Sequence, residues 1–160
     1  MSDDLTLGSA VEVPPQSGAL SPAAGRVLRS VVVTPEATLV DQAADFVALP
    51  LYDGEIGISP SHAPMIGRLG YGELRITHQG QTRRFYVDGG FMQVVDNVVS
   101  VLTNRALPAS ELDAEVAAEQ LASARQRPAH TPELMAIRDR IELQARAQIR
   151  VAARAGGSSY

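Results

Sequence analysis

An all-β block followed by an antiparallel pair of helices is the fold class that the sequence predicts. Three observations carry it. Apolar, β-branched runs recur at intervals of about eight to twelve residues between Val27 and Leu102, with no helical stretch among them. Turn-forming pairs such as Gln79-Gly80 and Asp96-Asn97 separate several of these runs. Beyond Ser110 the apolar spacing changes to three and four, stops at Pro128, and restarts at Thr131-Pro132-Glu133.

Taken in order, residues 1–25 mix Ser, Gly and Pro with hydrophobes that hold no period, and begin acidic where a secretory leader begins basic. They are expected to form a disordered extension. Val27 to Val33 reads as the first strand, Thr34-Pro35-Glu36 breaks it, and Thr38-Leu39-Val40 opens the next. Phe46 to Leu51 is a third run. Asp53-Gly54 predicts a turn with Gly at positive φ, followed by the short strand Ile56-Gly57-Ile58, whose bare glycine face invites a closely packed neighbour. Pro60 and Pro64 bracket Ser61-His62-Ala63, removing two N–H donors and giving a stiff loop that cannot continue a sheet.

Leu74 and Ile76 alternate with Glu73, Arg75 and Thr77, and Gln79-Gly80-Gln81 returns the chain into Arg84 to Val87 as a hairpin. Gly89-Gly90 lies between strands without a following helix or a Lys, so a bulge or corner is expected rather than a phosphate cradle. Arg83-Arg84 is expected on a solvated edge that discourages pairing. Asp96-Asn97 turns a last hairpin between Phe91 to Val95 and Val98 to Leu102. A sandwich or a barrel satisfies this pattern.

In the second part, Ser110 is read as an N-cap, with Leu112, Val116, Ala117, Leu121 and Ala124 on one face of the first helix. Thr131 caps the second, which carries Leu134, Ile137, Ile141 and Ala145 as its stripe and ends at Gly156-Gly157. The first helix is acidic and the second rich in Arg, so the hairpin is self-complementary in charge. Its alanine content favours helix but buries little area, so the helices should pack weakly. Two states are open to such a hairpin, permanently docked on the sheet or free to lift away.

Composition narrows the function. The chain has 160 residues and no cysteine, which excludes a disulfide framework and thiol chemistry. Its net charge of −4 argues against nucleic acid as a partner. All fourteen basic residues are Arg. His62 stands at no metal-ligand spacing from His78 or His130. An enzymatic site at Ser59 to His62, with Asp53 or Glu55 pairing with His62, lacks a recognisable nucleophile. An interaction role fits this stretch better.

The run Asp53-Gly54-Glu55-Ile56-Gly57-Ile58, then Pro60-Ser61-His62-Ala63-Pro64, resembles the epsilon subunit of the rotary, F-type, proton-translocating ATP synthase. The likeness continues through Gly72-Glu73-Leu74-Arg75-Ile76, Tyr86-Val87-Asp88-Gly89-Gly90-Phe91 and Val98 to Ala106, and more loosely to Arg150. It implies a β-sandwich over 26–108, of about ten short strands in two sheets, then a two-helix domain over 109–155 and a tail over 156–160. It further implies a non-catalytic subunit at the foot of the central stalk, touching the gamma subunit and the membrane c ring, on the cytoplasmic face of the bacterial inner membrane. Glu55, Ser61 and His62 would lie toward the c ring. The hairpin would reach the alpha and beta subunits when extended and so restrain ATP hydrolysis. An interaction module of some other assembly is the alternative.

Some members of that family hold ATP on the folded hairpin. Here Leu112, Asp113 and Ala117 match the first motif, and Arg146, Ala147 and Arg150 the second, with Val151 last, but Val116 stands in place of an Arg. Losing one guanidinium removes a charge-assisted contact that Val cannot supply, so ATP binding is expected to be weak or absent.

Overall fold

A computed structural model describes residues 27–157. Eight strands are found among them: β1 Leu28–Val33, β2 Thr38–Ala44, β3 Phe46–Leu51, β4 Gly54–Ile58, β5 Met65–His78, β6 Gln81–Val95, β7 Val98–Leu102 and β8 Ala106–Pro108. A 3-10 turn at Ala109–Glu111 leads to α1 Ala114–Gln126 and α2 Pro132–Gly156. The expected extension at 1–25 and most of the tail at 156–160 lie outside the described residues.

The fold class is borne out, with a different strand count. The hydrogen-bonded order is β2-β1-β7-β6-β5-β3-β4, with β8 added on β6, so one open sheet folds over itself to make both layers. The two layers share β5 and β6, which run 14 and 15 residues. The register shows where they bend: Leu69 faces Gly90 and Tyr71 faces Asp88, leaving Gly70 and Gly89 unmatched at the corner. Residues 91–95 then pair with β7, whereas 85–87 pair with β8. Sequence reading counts such strands twice, because glycines inside a bent strand look like the ends of two short ones.

Gly90 shows why the corner needs glycine. Its φ is 109°, and a Cβ there would lie 2.0 Å from the Leu102 carbonyl oxygen. The expected hairpin turns are present, with Gln79, Gly80, Asp96 and Asn97 all at positive φ. Gly54 departs from expectation: it begins β4 without positive φ, and Tyr52-Asp53 makes the turn. Gly57 does lie beneath a neighbour, since a Cβ there would meet the Phe46 ring at 2.6 Å.

Alternation places Leu74, Ile76, Phe85 and Val87 inward, where they join Leu28, Val32, Val47, Leu49, Met92 and Val101 in one buried core. The opposite face of β5 and β6 is covered by α2. Here Tyr86, Ala109, Ala147 and Val151 form a second, smaller cluster, with Tyr71, Leu112 and Ala155 against it.

Two helix expectations need correction. Ser110 is not the N-cap; Ala109–Glu111 turns as a 3-10 segment, Leu112 is extended, and Asp113 caps α1 by accepting from the Glu115 and Val116 N–H groups at 2.9 and 3.1 Å. The contact of Leu112 with the second cluster decides the boundary, and local cap chemistry follows it. On α2 the stripe is buried only toward its end: Leu134 and Ile137 are exposed, while Ala145, Ala147 and Val151 are buried. Thr131 does cap that helix, through the Leu134 N–H at 3.3 Å. One ion pair joins the helices among the described residues, Arg125 to Glu142 at 3.9 Å; the other hairpin pairs lie within α2.

Candidate docking surfaces

Three places among the described residues stand out as candidate contact surfaces. The first is the proline-bracketed loop. Pro60 and Pro64 hold it, Ser61 sits at φ 67°, and its N–H donates to Asn97 Oδ1 at 2.6 Å. The His62 N–H donates to the Ser59 carbonyl, and its Nδ1 lies 2.8 Å from the Ala63 carbonyl oxygen. The ring is therefore occupied locally, and no carboxylate among the described residues pairs with it. Glu55 is bonded to Arg75 at 2.7 Å. Ser61 and His62 are thus brought together on one rigid loop, and Glu55 stands apart from them on β4.

The second is an open groove of about 870 Å³ at the glycine corner, lined by Leu51, Tyr52, Arg68, Phe91 and Leu102 among others. Phe91 and Leu102 face each other in register on outward positions, and are 60% and 54% exposed. Tyr52 is 72% exposed, with the Arg68 guanidinium 4.7 Å from its ring centroid. The groove is mixed in character, since Arg68, Asp88, Asn104 and Arg150 line it beside the exposed Tyr52, Phe91 and Leu102, and it is the clustering of those three large side chains that makes it a candidate interaction site. The alternation of β6 and β7 could have revealed it, since Met92 and Val101 go inward and so turn Phe91 and Leu102 out.

The groove and the loop sit at opposite ends of the same two strands. β1 and β7 run parallel, from Arg29 and Val98 beside the Asn97 turn to Val33 and Leu102 at the groove. Four residue steps separate the ends, about 13 Å of extended chain.

The third is the seam beneath α2. Glu73 is buried with its side chain 2% exposed, and three guanidinium groups reach it: Arg84 at 2.8 Å, Arg154 at 3.4 Å and Arg75 at 3.6 Å. Arg84 is therefore an anchor for Glu73 and not a merely solvated edge residue. Asp88 Oδ1 accepts from the Tyr86 hydroxyl at 3.2 Å and from Gln144 at 2.8 Å. Burial, then the Asp88 charge, push the Tyr86 hydroxyl above its ordinary ionisation range, while Gln148 acts the other way. None of Glu73, Asp88, Gln144 or Arg154 is legible as a site in the sequence, because the partners lie 56 and 81 residues apart.

The residues matched to an ATP motif are not gathered by these contacts. The Asp113 carboxylate caps α1, Arg146 donates to Glu142 at 3.0 Å, and Arg150 lines the groove.

A family model described as the ATP synthase, Delta/Epsilon chain, beta-sandwich domain matches residues 27–109. The ATP synthase epsilon chain of Rhodopirellula baltica is 53% identical over 123 residues, covering 77% of this chain and 96% of that relative. The chain belongs to the epsilon-chain family of the rotary ATP synthase. The epsilon chain of Carboxydothermus hydrogenoformans is 46% identical over 96 residues, 60% of this chain and 72% of its own length. The fold of this family member is also found in a chain of the Euglena gracilis mitochondrial ATP synthase, OSCP/F1/c-ring in rotational state 1, with a TM-score of 0.68 at 20% identity over 97% of this chain and 99% of that one. A chain from the central stalk/c-ring of the Tetrahymena thermophila mitochondrial ATP synthase gives 0.64 at 14% identity over 78% and 96%. Like its relatives by name, this epsilon-family chain is one subunit of a membrane-associated complex. Among the described residues no helix is long and apolar enough to cross a membrane.

Proposed function

We propose that this epsilon chain couples rotation to ATP synthesis by holding the gamma subunit and the c ring at once, and restrains ATP hydrolysis when its hairpin lifts. It does no bond chemistry of its own. The single observation that carries this reading is the arrangement on β1 and β7: a stiff proline loop at one end and an open groove with exposed Phe91 and Leu102 at the other, joined by a rigid sheet. A body built in this way transmits force between two partners without absorbing it in bending. The loop with Ser61 and His62 faces the c ring, Glu55 on β4 contributes to the same side although it is tied to Arg75 rather than to the loop, and the groove takes gamma. The complex sits on the cytoplasmic face of the bacterial inner membrane, with this chain peripheral to it.

The hairpin supports the regulatory half. α2 brings only small side chains, Ala147 and Val151, and polar ties to the sheet, so its detachment uncovers chiefly one aromatic ring, Tyr86, and breaks no large interlocked core. In the extended position it reaches the alpha and beta subunits, contacts that exist in one state only and so bias the rotor.

A chain ending at Pro108, assembled into the complex, tests both halves. Gamma and the c ring are expected to co-purify with it while ATP hydrolysis rises. Loss of both partners defeats the docking assignment, and unchanged hydrolysis removes the inhibitory one. For ATP itself, titration calorimetry on the full chain is expected to show no saturation at micromolar concentrations, given Val116 and the prior engagement of Asp113 and Arg146.

A further inference from the structure

We infer that Glu73 and Arg154 form an electrostatic latch that sets how readily the hairpin leaves the sandwich. The inference rests on the regulatory reading above for its consequence, and on the seam alone for its existence.

Glu73 sits on the outer face of β5, opposite Tyr86 on β6, so strand alternation alone would put its carboxylate in water. α2 covers it instead. A carboxylate this buried is costly unless charge and hydrogen bonds compensate it. Compensation comes in two parts with different fates. Arg84 and Arg75 belong to the same sheet and stay with Glu73 whatever the helix does. Arg154 arrives from the last turn of α2 and leaves with it. Undocking therefore removes one of three guanidinium partners without orphaning the carboxylate, and the contact is reversible in a way that a sole partner is not.

The second polar tie is placed to share the task. Gln144 holds Asp88, and ten residues separate it from Arg154, about 15 Å of helix. The two ties bound the stretch that carries Ala147 and Val151. Between them α2 contributes only the small Ala147 and Val151, closing over the Tyr86 ring of β6. Where the helix brings so few large apolar side chains, polar ties take a larger share of the docking free energy. Arg154 is 57% exposed, so the latch is also open to screening by salt.

The full chain, which has no cysteine, allows a direct test. Val151→Cys, nearly conservative in volume, places a single thiol in the seam, and its rate of modification by excess maleimide reports the undocked population; Ala147→Cys is the second reporter if the first perturbs folding. In either background, R154Q is expected to raise the rate about fivefold. When Glu73→Gln is already present, the same change should alter it by less than about twofold, since coupled residues are not additive. Raising NaCl from 0.05 to 1 M should accelerate labelling of the parent and leave R154Q nearly flat. An unchanged rate in R154Q, or an equal rise with and without Glu73, overturns the latch. In the assembled complex R154Q is expected to lower ATP hydrolysis; faster labelling with unaltered hydrolysis keeps the latch and overturns the inhibitory reading.

Discussion

The interior of the sandwich and the seam beneath α2 bury similar kinds of surface to opposite ends. Inside, seventeen residues pack together, and only Ala44 and Ala106 among them are alanines; Leu49, Leu74, Ile76 and Met92 are fully enclosed. In the seam four hydrophobic residues are buried, Tyr86 the one large side chain and two of the others alanines, and the remaining specificity comes from Glu73, Asp88, Gln144 and Arg154. Each large aliphatic chain buried contributes about 1.5 to 3 kcal/mol, and an alanine much less. Large side chains close the first region, whereas α2 closes the second with small side chains and polar ties. That division suits the proposed role, in which one part carries load while the other changes position.

The contrast is most directly broken from the inside. Leu49→Ala removes a fully buried side chain from β3 and should cost about 3 kcal/mol in urea unfolding, because the close-packed layers cannot collapse into the void. A loss of under about 1 kcal/mol would mean that the interior is as loose as the seam. Gly90→Ala comes next, at about 2 kcal/mol. The new Cβ meets the Leu102 carbonyl and the backbone is held at φ 109°, so the corner shared by both layers must shift. The same measurement, with its midpoint compared to the parent, checks it.

Much of the interior was legible from the residues, and little of the seam. Gln79-Gly80 and Asp96-Asn97 announce their hairpins because positive φ is a local requirement with few residues to meet it. Thr131-Pro132 announces the start of α2 for a different local reason, a hydroxyl that caps the Leu134 N–H and a proline at the one helical position where its missing N–H costs nothing. The bent course of β5 and β6 was hidden, since Gly70 and Gly89 look like interruptions until the register is known. Ser110 misled because the boundary of α1 depends on Leu112 reaching the second cluster, a tertiary matter. Glu73 and Tyr86 alternate to the outside of their strands, and nothing in their neighbourhood says that a helix some sixty to eighty residues later will cover them. The stiff loop that carries Ser61 and His62 could be read from its two prolines, whereas Tyr52, Arg68, Phe91 and Leu102 needed the fold to bring them into one groove.

A smaller effect sharpens the contrast from the other side. Val151→Ala deletes two methyl groups from the seam and should weaken docking by about 1 kcal/mol, with no change in the urea midpoint of the sandwich. With Ala147→Cys as the reporter, thiol labelling should accelerate about fivefold. Loss of sandwich stability in that variant would show that the two regions unfold as one and are not separable in energy.

The smallest expected effect uses pH. Burial and the Asp88 charge raise the folded-state pKa of Tyr86 above that of an unfolded tyrosine, near 10. The folded chain therefore holds this proton more tightly than the unfolded one. Stability from that difference is complete below about pH 10 and is lost as pH rises toward the folded value. By pH 10.5 the loss amounts to somewhat under about 1 kcal/mol for a single tyrosine whose unfolded form has begun to ionise. Tyr86→Phe has no such proton, so between pH 9 and 10.5 the hairpin-docking step of urea unfolding should weaken further in the parent than in the variant by that amount, while the sandwich midpoint moves equally in both. The hydroxyl is shielded only while α2 lies on the sheet. Equal losses in the two proteins would mean that water already reaches Tyr86 in the resting chain, and that the seam stands open rather than closed before any partner is bound.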